Sequence, residues 1–237
     1  MLLNLELILI IIFSTFVQAA FGFGFNLFFL SIGSLFFPAK SLLPFCLLIA
    51  LFVDSFIMFS TISHRPKKYY DFVFFGILAT PIGLWLYFQM GSRVFDPLLG
   101  LLLIAAIVLQ IYDQISIPNK NPVRSILGIT LGSVAGAFGI LGPFISVILL
   151  SDRSLTREGT IFLMNLFFTG VSFISLIVFY SFGVYDNIDL SNFIYMLFYS
   201  FIGFLLGGTF GSRFTTYIYK NIVLMLIFIS AVLLIIP

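Results

Sequence analysis

The sequence predicts an all-α polytopic membrane protein made of two inverted-topology repeats, each with about five helical segments. Hydrophobic residues make up 61% of the 237 positions, and charged residues only 8%. A soluble domain carries about 25% charged residues, so this chain cannot cover a water-facing surface and must be surrounded largely by lipid. The second observation is an internal duplication, and the third is a short glycine-broken segment in each half.

The duplication shows most clearly in a cassette that occurs once in each half. Residues 82–93 read IGLWLYFQMGSR, and 120 positions later residues 202–213 read IGFLLGGTFGSR. Upstream, with an offset of 117, Phe21-Gly22 matches Phe138-Gly139. These matches predict a first membrane repeat over residues 1–117 and a second over 124–237, joined by the polar loop 117–122.

The apolar segments of each repeat are expected to be helices, because a single segment can satisfy its backbone in lipid only as a helix. The predicted segments are 3–20, 24–37, 41–62, 71–89 and 96–116, then 124–138, 143–150, 159–180, 192–210 and 215–236. The second segment of each repeat is too short for an ordinary span, since eight helical residues rise only about 12 Å. Each of these short segments is expected to be a half-helix, an arm of a re-entrant hairpin or a strongly tilted short span near the midplane.

The Lys and Arg positions predict that the two repeats are antiparallel. If each glycine-broken pair of segments crossed as one span, the basic residues would divide six to five between the two sides. If each pair forms a hairpin, only Lys40 and Arg93 oppose nine others, which are Arg65, Lys67, Lys68, Lys120, Arg124, Arg153, Arg157, Arg213 and Lys220. The positive-inside rule selects the second arrangement. We therefore expect both termini on the outer side of the membrane. The membrane is expected to be the inner or plasma membrane of the cell.

The two glycine breaks predict a substrate site. First-turn N–H groups of a helix lack intrahelical partners and carry partial positive charge, so they can hold an anion. An inverted repeat places two such breaks around an axis near the midplane. The alternative is that the glycines only permit close helix packing. The expected substrate-binding residues at the breaks are Gly22, Gly24, Phe25, Asn26, Gly139, Gly142, Pro143 and Phe144.

Polar side chains on neighbouring segments are expected to complete this site. Gln18 lies one turn before the first break, and Ser133 precedes the second. Thr169 and Ser172 lie four and seven positions after Asn165, so the three side chains share one helix face. A polar stripe in a membrane helix faces protein or water rather than lipid. Hydrogen bonding between helices is the alternative role of this stripe.

Three charged residues carry separate expectations. Lys40 and Arg157 are equivalent under the 117 offset, and each is either a gating charge that attracts an anion or an interfacial anchor. Asp54 is the one acid well inside a predicted span. Burying an ionised carboxylate is costly, so Asp54 is expected to be neutral, paired or a proton carrier.

The sequence predicts no enzyme, cofactor, metal site or nucleic-acid partner. The chain has one cysteine, Cys46, and one histidine, His64, which lies in a basic loop. It contains no His-Glu-x-x-His, no Gly-x-Ser-Gly and no pair of intramembrane aspartates. An anion channel, and less readily an intramembrane enzyme, remain alternatives to a transporter.

The motifs at the two breaks resemble those of the TauE/SafE transporters. Gly22-Phe23-Gly24 and residues 132–143, which read GSVAGAFGILGP, carry the resemblance, and Arg157 and Asn165 also fit. In the first copy, Phe25 and Asn26 replace the usual glycine and proline. The resemblance covers nearly the whole chain and implies a permease for sulfite or an organosulfonate.

We therefore expect a secondary transporter that works by alternating access. Its partners would be a small anionic substrate and membrane lipid. Direction of transport, coupling to protons or sodium, and formation of a homodimer remain open.

Overall fold

The computed structural model describes residues 5–111, 121–140, 142–150, 152, 154–186 and 190–211, together with Met225, Phe228, Ile229 and Val232. Within these residues the secondary structure is helical, which confirms the all-α class. The helices are α1 (Leu5–Phe21), α2 (Phe25–Gly33), α3 (Ala39–Ser60), a 3-10 turn (Ile62–His64), α4 (Tyr70–Gln89), α5 (Ser92–Ile111), α6 (Asn121–Phe138), α7 (Gly142–Leu150), α8 (Arg157–Ser181) and α9 (Leu190–Gly211). Nine of the predicted segments are thereby confirmed as helices.

Some predictions concern residues outside the ranges that the structure describes. Most of segment 215–236, most of the loop 117–122 and the basic residues Lys120, Arg153, Arg213 and Lys220 lie outside the described residues.

Four of the described helices are long and apolar enough to cross a membrane. They are Ala39–Ser60, Tyr70–Gln89, Arg157–Ser181 and Asn192–Phe210. A helix of 22 residues such as α3 rises about 33 Å, and the hydrocarbon core is about 30 Å thick. Large apolar side chains such as Phe74, Trp85 and Phe198 point outward. The chain is a multi-pass membrane protein.

The two glycine breaks interrupt the helices at the predicted positions. Helix α1 ends at Phe21 and α2 begins at Phe25, whereas α6 ends at Phe138 and α7 begins at Gly142. The φ angles are 84° at Gly22, 121° at Gly24 and 70° at Gly139, in the left-handed region that favours glycine. Helices α2 and α7 have nine residues each and rise about 14 Å, so neither crosses the hydrocarbon core alone.

Helices α4 and α6, one from each predicted repeat, run parallel in backbone contact. A Cβ on each α6 glycine would collide with an α4 carbonyl oxygen: Gly128 with that of Phe72, Gly132 with that of Gly76, and Gly136 with that of Thr80. Since the partners advance together along both helices, the two helices point the same way. Small residues allow this close approach in a membrane, where backbone packing drives helix association.

Helices α1 and α9 form the matching pair. A Cβ on Gly203 or Gly207 of α9 would collide with the carbonyl oxygen of Ile12 or Phe16, respectively, so these helices are also parallel. Under the predicted duplication α1 corresponds to α6 and α4 to α9, so these two pairs are the ones that the duplication predicts to be equivalent.

Helices α3 and α8, which the sequence duplication predicts to be equivalent, run antiparallel. The order of contacts along them is His64 with Gly159, Asp54 with Asn165 through the amide of Gln18, and Pro44 with Tyr185. Residue numbers fall along α3 as they rise along α8, which fixes the opposite direction. The middle of this pair lies beside the first helix break.

Candidate functional site

A small cavity lies between the two helix breaks. Its lining comes from both breaks and from α1, α3 and α8: Gly24, Asn26, Leu27, Gly139, Ile140, Gly142, Pro143, Gln18, Asp54 and Phe168. Its volume is about 20 Å³, and about 10–15 Å³ on that scale accommodates one water molecule. The structure thus brings together Gln18 and Asp54 with residues of both breaks.

The two breaks contact each other directly. The Asn26 side-chain amide donates to the Gly139 carbonyl oxygen at 2.6 Å. A Cβ on Gly142 would lie 2.7 Å from Cδ2 of Phe23, so only glycine lets that ring pack at the start of α7. Cys46 donates from its thiol to Oδ1 of Asn26 at 3.3 Å. The side chain of Asn26 is therefore held on both sides.

The first turn of α2 borders the cavity. Asn26 and Leu27 occupy the second and third positions of α2 and line the cavity. First-turn amides have no intrahelical acceptor, and the positive end of the helix dipole lies there. At the start of α7, Pro143 has no N–H, so Gly142 and Phe144 carry the first-turn amides. This arrangement suits an anion between the breaks.

Gln18 connects the first break to α3 and α8. Its Oε1 accepts from the backbone N–H of Phe25 at 2.9 Å, which occupies the first amide of α2. Its Nε2 donates to Oδ1 of Asp54 at 2.5 Å and to Oδ1 of Asn165 at 3.2 Å. Both amide hydrogens of Gln18 are therefore used, and the side chain is 2% exposed.

Asn165 ties α8 to the same break. Its Nδ2 donates to the carbonyl oxygen of Gly22 at 2.9 Å and to that of Ile161 at 2.8 Å. A Cβ on Gly22 would lie 2.7 Å from Cγ1 of Ile161, so the chain passes close to α8 here. Asn165 thus fixes the backbone that ends α1, and it belongs to the wall of the site without lining the cavity.

Asp54 is a buried acid in the cavity wall and is 2% exposed. Among the residues that the structure describes, the ion pairs are Lys68 with Asp152 and Arg124 with Asp71, and none involves Asp54. Its hydrogen-bond donor is the neutral amide of Gln18. Buried charges are normally paired with an opposite charge, whereas Asp54 is bonded by a neutral amide.

Other predicted site residues lie outside the cavity. The Ser133 hydroxyl donates to the carbonyl oxygens of Ile129 at 2.9 Å and Ala79 at 3.4 Å, within the α4–α6 contact. Phe25 stacks on Phe29 with ring centroids 5.4 Å apart. Phe144 packs against the apolar core. Thr169 and Ser172 have buried hydroxyl oxygens with no hydrogen-bond partner in the described part of the chain.

Lys40 and Arg157 stand at helix starts away from the cavity. The Lys40 ammonium donates to the carbonyl oxygen of Met90 and lies 4.9 Å from the ring centroid of Tyr87. The Tyr87 hydroxyl in turn donates to the Lys40 carbonyl oxygen at 3.0 Å. Arg157 is exposed and is the first residue of α8, whose N-cap Thr156 accepts from the Gly159 N–H at 3.1 Å. This conformation thus keeps both cations outside the lining.

A polar network at one end of the bundle was not predicted from the sequence. The Tyr69 hydroxyl donates to Oδ2 of Asp152 at 2.8 Å, and the Lys68 ammonium lies 3.8 Å from the same oxygen. Burial, then the bond to Asp152, raises the pKa of Tyr69 to about 12. Hydrogen bonding from Ser154 lowers the pKa of Asp152 below its usual value. The network joins the loop before α4 to the segment before α8.

Sequence reasoning also missed two apolar residues of the lining, namely Ile140 and Phe168. Phe168 lies three positions after Asn165 and therefore shares its helix face, a signal that was available in the sequence. Within the described ranges, no group of three or more His, Cys, Asp or Glu side chains could hold a metal ion.

Comparison with known proteins identifies the family. The family model of the sulfite exporter TauE/SafE matches residues 7–234, which is nearly the whole chain. No curated protein and no solved structure matched the chain. The family is one of membrane transporters for sulfur-containing anions, and the match confirms the resemblance seen at the two breaks. The chain belongs to the sulfite exporter TauE/SafE family.

Proposed function

We propose that the protein is a secondary transporter that moves a sulfur-containing anion, sulfite or a sulfonate, across the cytoplasmic membrane by alternating access. The observation that carries this proposal is the cavity between two facing helix breaks, lined by Asn26 and Leu27 at the start of α2 and by Gly142 and Pro143 at the start of α7. The family match supports the class of substrate.

The anion would be held by backbone amides and by the side chain of Asn26. First-turn amides bind oxyanions through hydrogen bonds and the helix dipole. Leu27, Ile140 and Phe168 add an apolar side to the cavity, which suits the sulfur or carbon end of the solute. The volume of about 20 Å³ requires the breaks to separate before a sulfonate with a long tail can enter.

The proposed architecture consists of inverted repeats over residues 1–117 and 124–237. Equivalent helices of a parallel repeat would point the same way across the membrane, whereas α3 and α8 run in opposite directions. The opposite directions of α3 and α8, together with the equivalent pairs α1–α9 and α4–α6, support a two-fold axis that relates the repeats and lies in the membrane plane. Each of those pairs packs through backbone contact and is suited to move as a unit against the other.

The proposal is tested by counterflow in proteoliposomes with sulfite, methanesulfonate, sulfate and a neutral solute. We expect saturable exchange of at least one sulfur anion and none of the neutral solute. Gly142→Val should abolish exchange, because the side chain would displace Phe23 from the break. Gly208→Ala is the matched control, since a Cβ there meets nothing within 4 Å.

Absence of saturable exchange for every sulfur anion would contradict the proposed substrate class. Conduction without saturation, seen as single-channel currents in planar bilayers, would replace the carrier with an anion channel. Circular dichroism of the purified Gly142→Val protein separates loss of transport from loss of folding.

A further inference from the structure

We propose that Asp54 is a proton-binding site coupled to the anion site through Gln18, so that the transporter takes up a proton together with its anion. The inference rests on the proposed function, and it deepens that function by naming the coupling ion and the residue that binds it. Two observations carry it: the carboxyl group of Asp54 lies in the wall of the cavity, and the side-chain amide of Gln18 bonds both Asp54 and the first amide of α2.

The first step concerns charge. Asp54 is the one titratable side chain among the residues that line the cavity. An ionised carboxylate and an anion in the same small cavity repel each other, because burial weakens solvent screening. Protonation of Asp54 removes this repulsion, and the anion and the proton therefore favour each other's binding.

The second step concerns Gln18, which holds Asp54 and the start of α2 at once. Its Nε2 donates to Asp54 at 2.5 Å, a bond that is strongest when the acceptor is charged. Its Oε1 accepts from the N–H of Phe25 at 2.9 Å, so it occupies an amide that an anion would use. Protonation of Asp54 weakens the first bond and releases Gln18, which frees the amide of Phe25.

The other titratable groups on the helices around Asp54 lie at helix ends or at other positions along the helices, outside the cavity lining. On α3 itself, Lys40 lies at the start, and Cys46 lies two turns before Asp54 with its thiol bonded to Asn26. Helix α2 carries no titratable side chain. Those on the remaining neighbours of α3 are Glu6 of α1, His64 after α3, Arg93 and Asp96 of α5, Arg157, Glu158 and Tyr180 of α8, Tyr185 after α8, whose hydroxyl donates to the Pro44 carbonyl oxygen, and Tyr195 and Tyr199 of α9.

The sign of the pH dependence follows from linkage. If the anion binds better to the protonated form, the proton also binds better to the anion complex, by the same factor. Anion affinity is then highest at low pH and falls by up to tenfold per pH unit as Asp54 ionises in the empty protein. In the pH range of this fall, about one proton is taken up with each anion.

The test measures proton uptake by isothermal titration calorimetry in buffers of different ionisation enthalpy, on the purified full-length protein. Methanesulfonate is the main probe because its charge does not change with pH, whereas sulfite itself titrates near neutrality. We expect wild-type uptake to approach one proton per anion. Asp54→Asn, which stays uncharged, should bind with an affinity that does not vary with pH and should take up none. Sulfite forms a second arm, in which the difference between wild type and Asp54→Asn cancels the titration of the ligand.

Two further variants sharpen the test. Asp96→Asn changes an acid on α5 outside the cavity lining and should keep wild-type proton uptake. Gln18→Leu removes the link but leaves the direct repulsion, so its uptake should fall below that of the wild type. Unchanged uptake in Gln18→Leu would contradict the role of Gln18.

The outcomes separate the two proposals. Anion binding with pH-independent affinity and no proton uptake in the wild type would overturn this inference and leave the transporter standing. Failure of the wild type to bind any sulfur anion would instead overturn the proposed function. If Asp54→Asn does not fold, the wild-type proton count decides the coupling on its own.

Discussion

Replacing Asn165 with leucine should destabilise the protein, because Asn165 joins α8 to the first helix break. The change removes the donors to the carbonyl oxygens of Gly22 and Ile161 and the acceptor for Gln18. The Ile161 carbonyl keeps its helical bond from the backbone N–H of residue 165. The carbonyl oxygen of Gly22 and one N–H of Gln18 are left buried without a partner.

The expected size follows from these two orphaned groups. A buried polar group without a partner costs about 1–3 kcal/mol, and hydrogen bonds between membrane helices average about 0.6 kcal/mol. Taking about 1–2 kcal/mol for each group, we expect Asn165→Leu to lower the free energy of unfolding by about 2–4 kcal/mol. Because leucine has the same number of heavy atoms as asparagine and the same branching at Cγ, no cavity contributes to this loss.

Denaturant unfolding in mild detergent, followed by circular dichroism, measures this loss. Thr130→Val is the matched control, because the Thr130 hydroxyl is exposed and bonds the Ile126 carbonyl of its own helix at 3.0 Å. That control should change stability by less than about 0.5 kcal/mol. A loss in Asn165→Leu no larger than that of Thr130→Val would refute the role of Asn165 as the tie between α8 and the break.

Three more predictions concern other contacts. Gly136→Ala should destabilise the protein by about 1–3 kcal/mol in the same unfolding assay, because its Cβ would collide with the α4 backbone, whereas Gly208→Ala should be neutral or stabilise by up to about 1 kcal/mol. Tyr69→Phe should cost about 1 kcal/mol by loss of its bond to Asp152, and ultraviolet titration of the wild type should show a tyrosine with a pKa of about 12. Since this pKa is raised from 10.0, the stability that Tyr69 contributes is present below pH 10 and is lost as pH rises to about 12; an equal pH dependence in Tyr69→Phe would contradict this. Lys40→Met should lower the affinity for anions less than twofold, because the ammonium is held at Met90 and Tyr87, and a tenfold loss would place Lys40 on the anion's path.

The sequence predicted the helices and the breaks because both depend on local properties. Apolar length defines a membrane helix, and Gly22, Gly24 and Gly139 adopt positive φ angles that other residues rarely reach. These features need no knowledge of which helices are neighbours.

The remaining features depend on packing between distant parts of the chain. Ser133 was expected at the site, but it lies between Gly132 and Gly136, whose glycine face packs on α4, and its hydroxyl points into that contact. The bond from Gln18 to Asp54 joins residues 36 positions apart, and nothing in either local pattern specifies it. Such pairings follow from helix register, which the sequence alone did not give.

Thermal stabilisation of the purified protein by sulfite and by methanesulfonate tests the central claim most directly. A ligand at 100 times its dissociation constant stabilises the folded state by about 2.7 kcal/mol. We predict that one or both anions raise the unfolding temperature of the wild type and of Gly208→Ala, and that a folded Gly142→Val protein shows no such rise. A rise in Gly142→Val equal to that of the wild type would contradict an anion site between the two breaks.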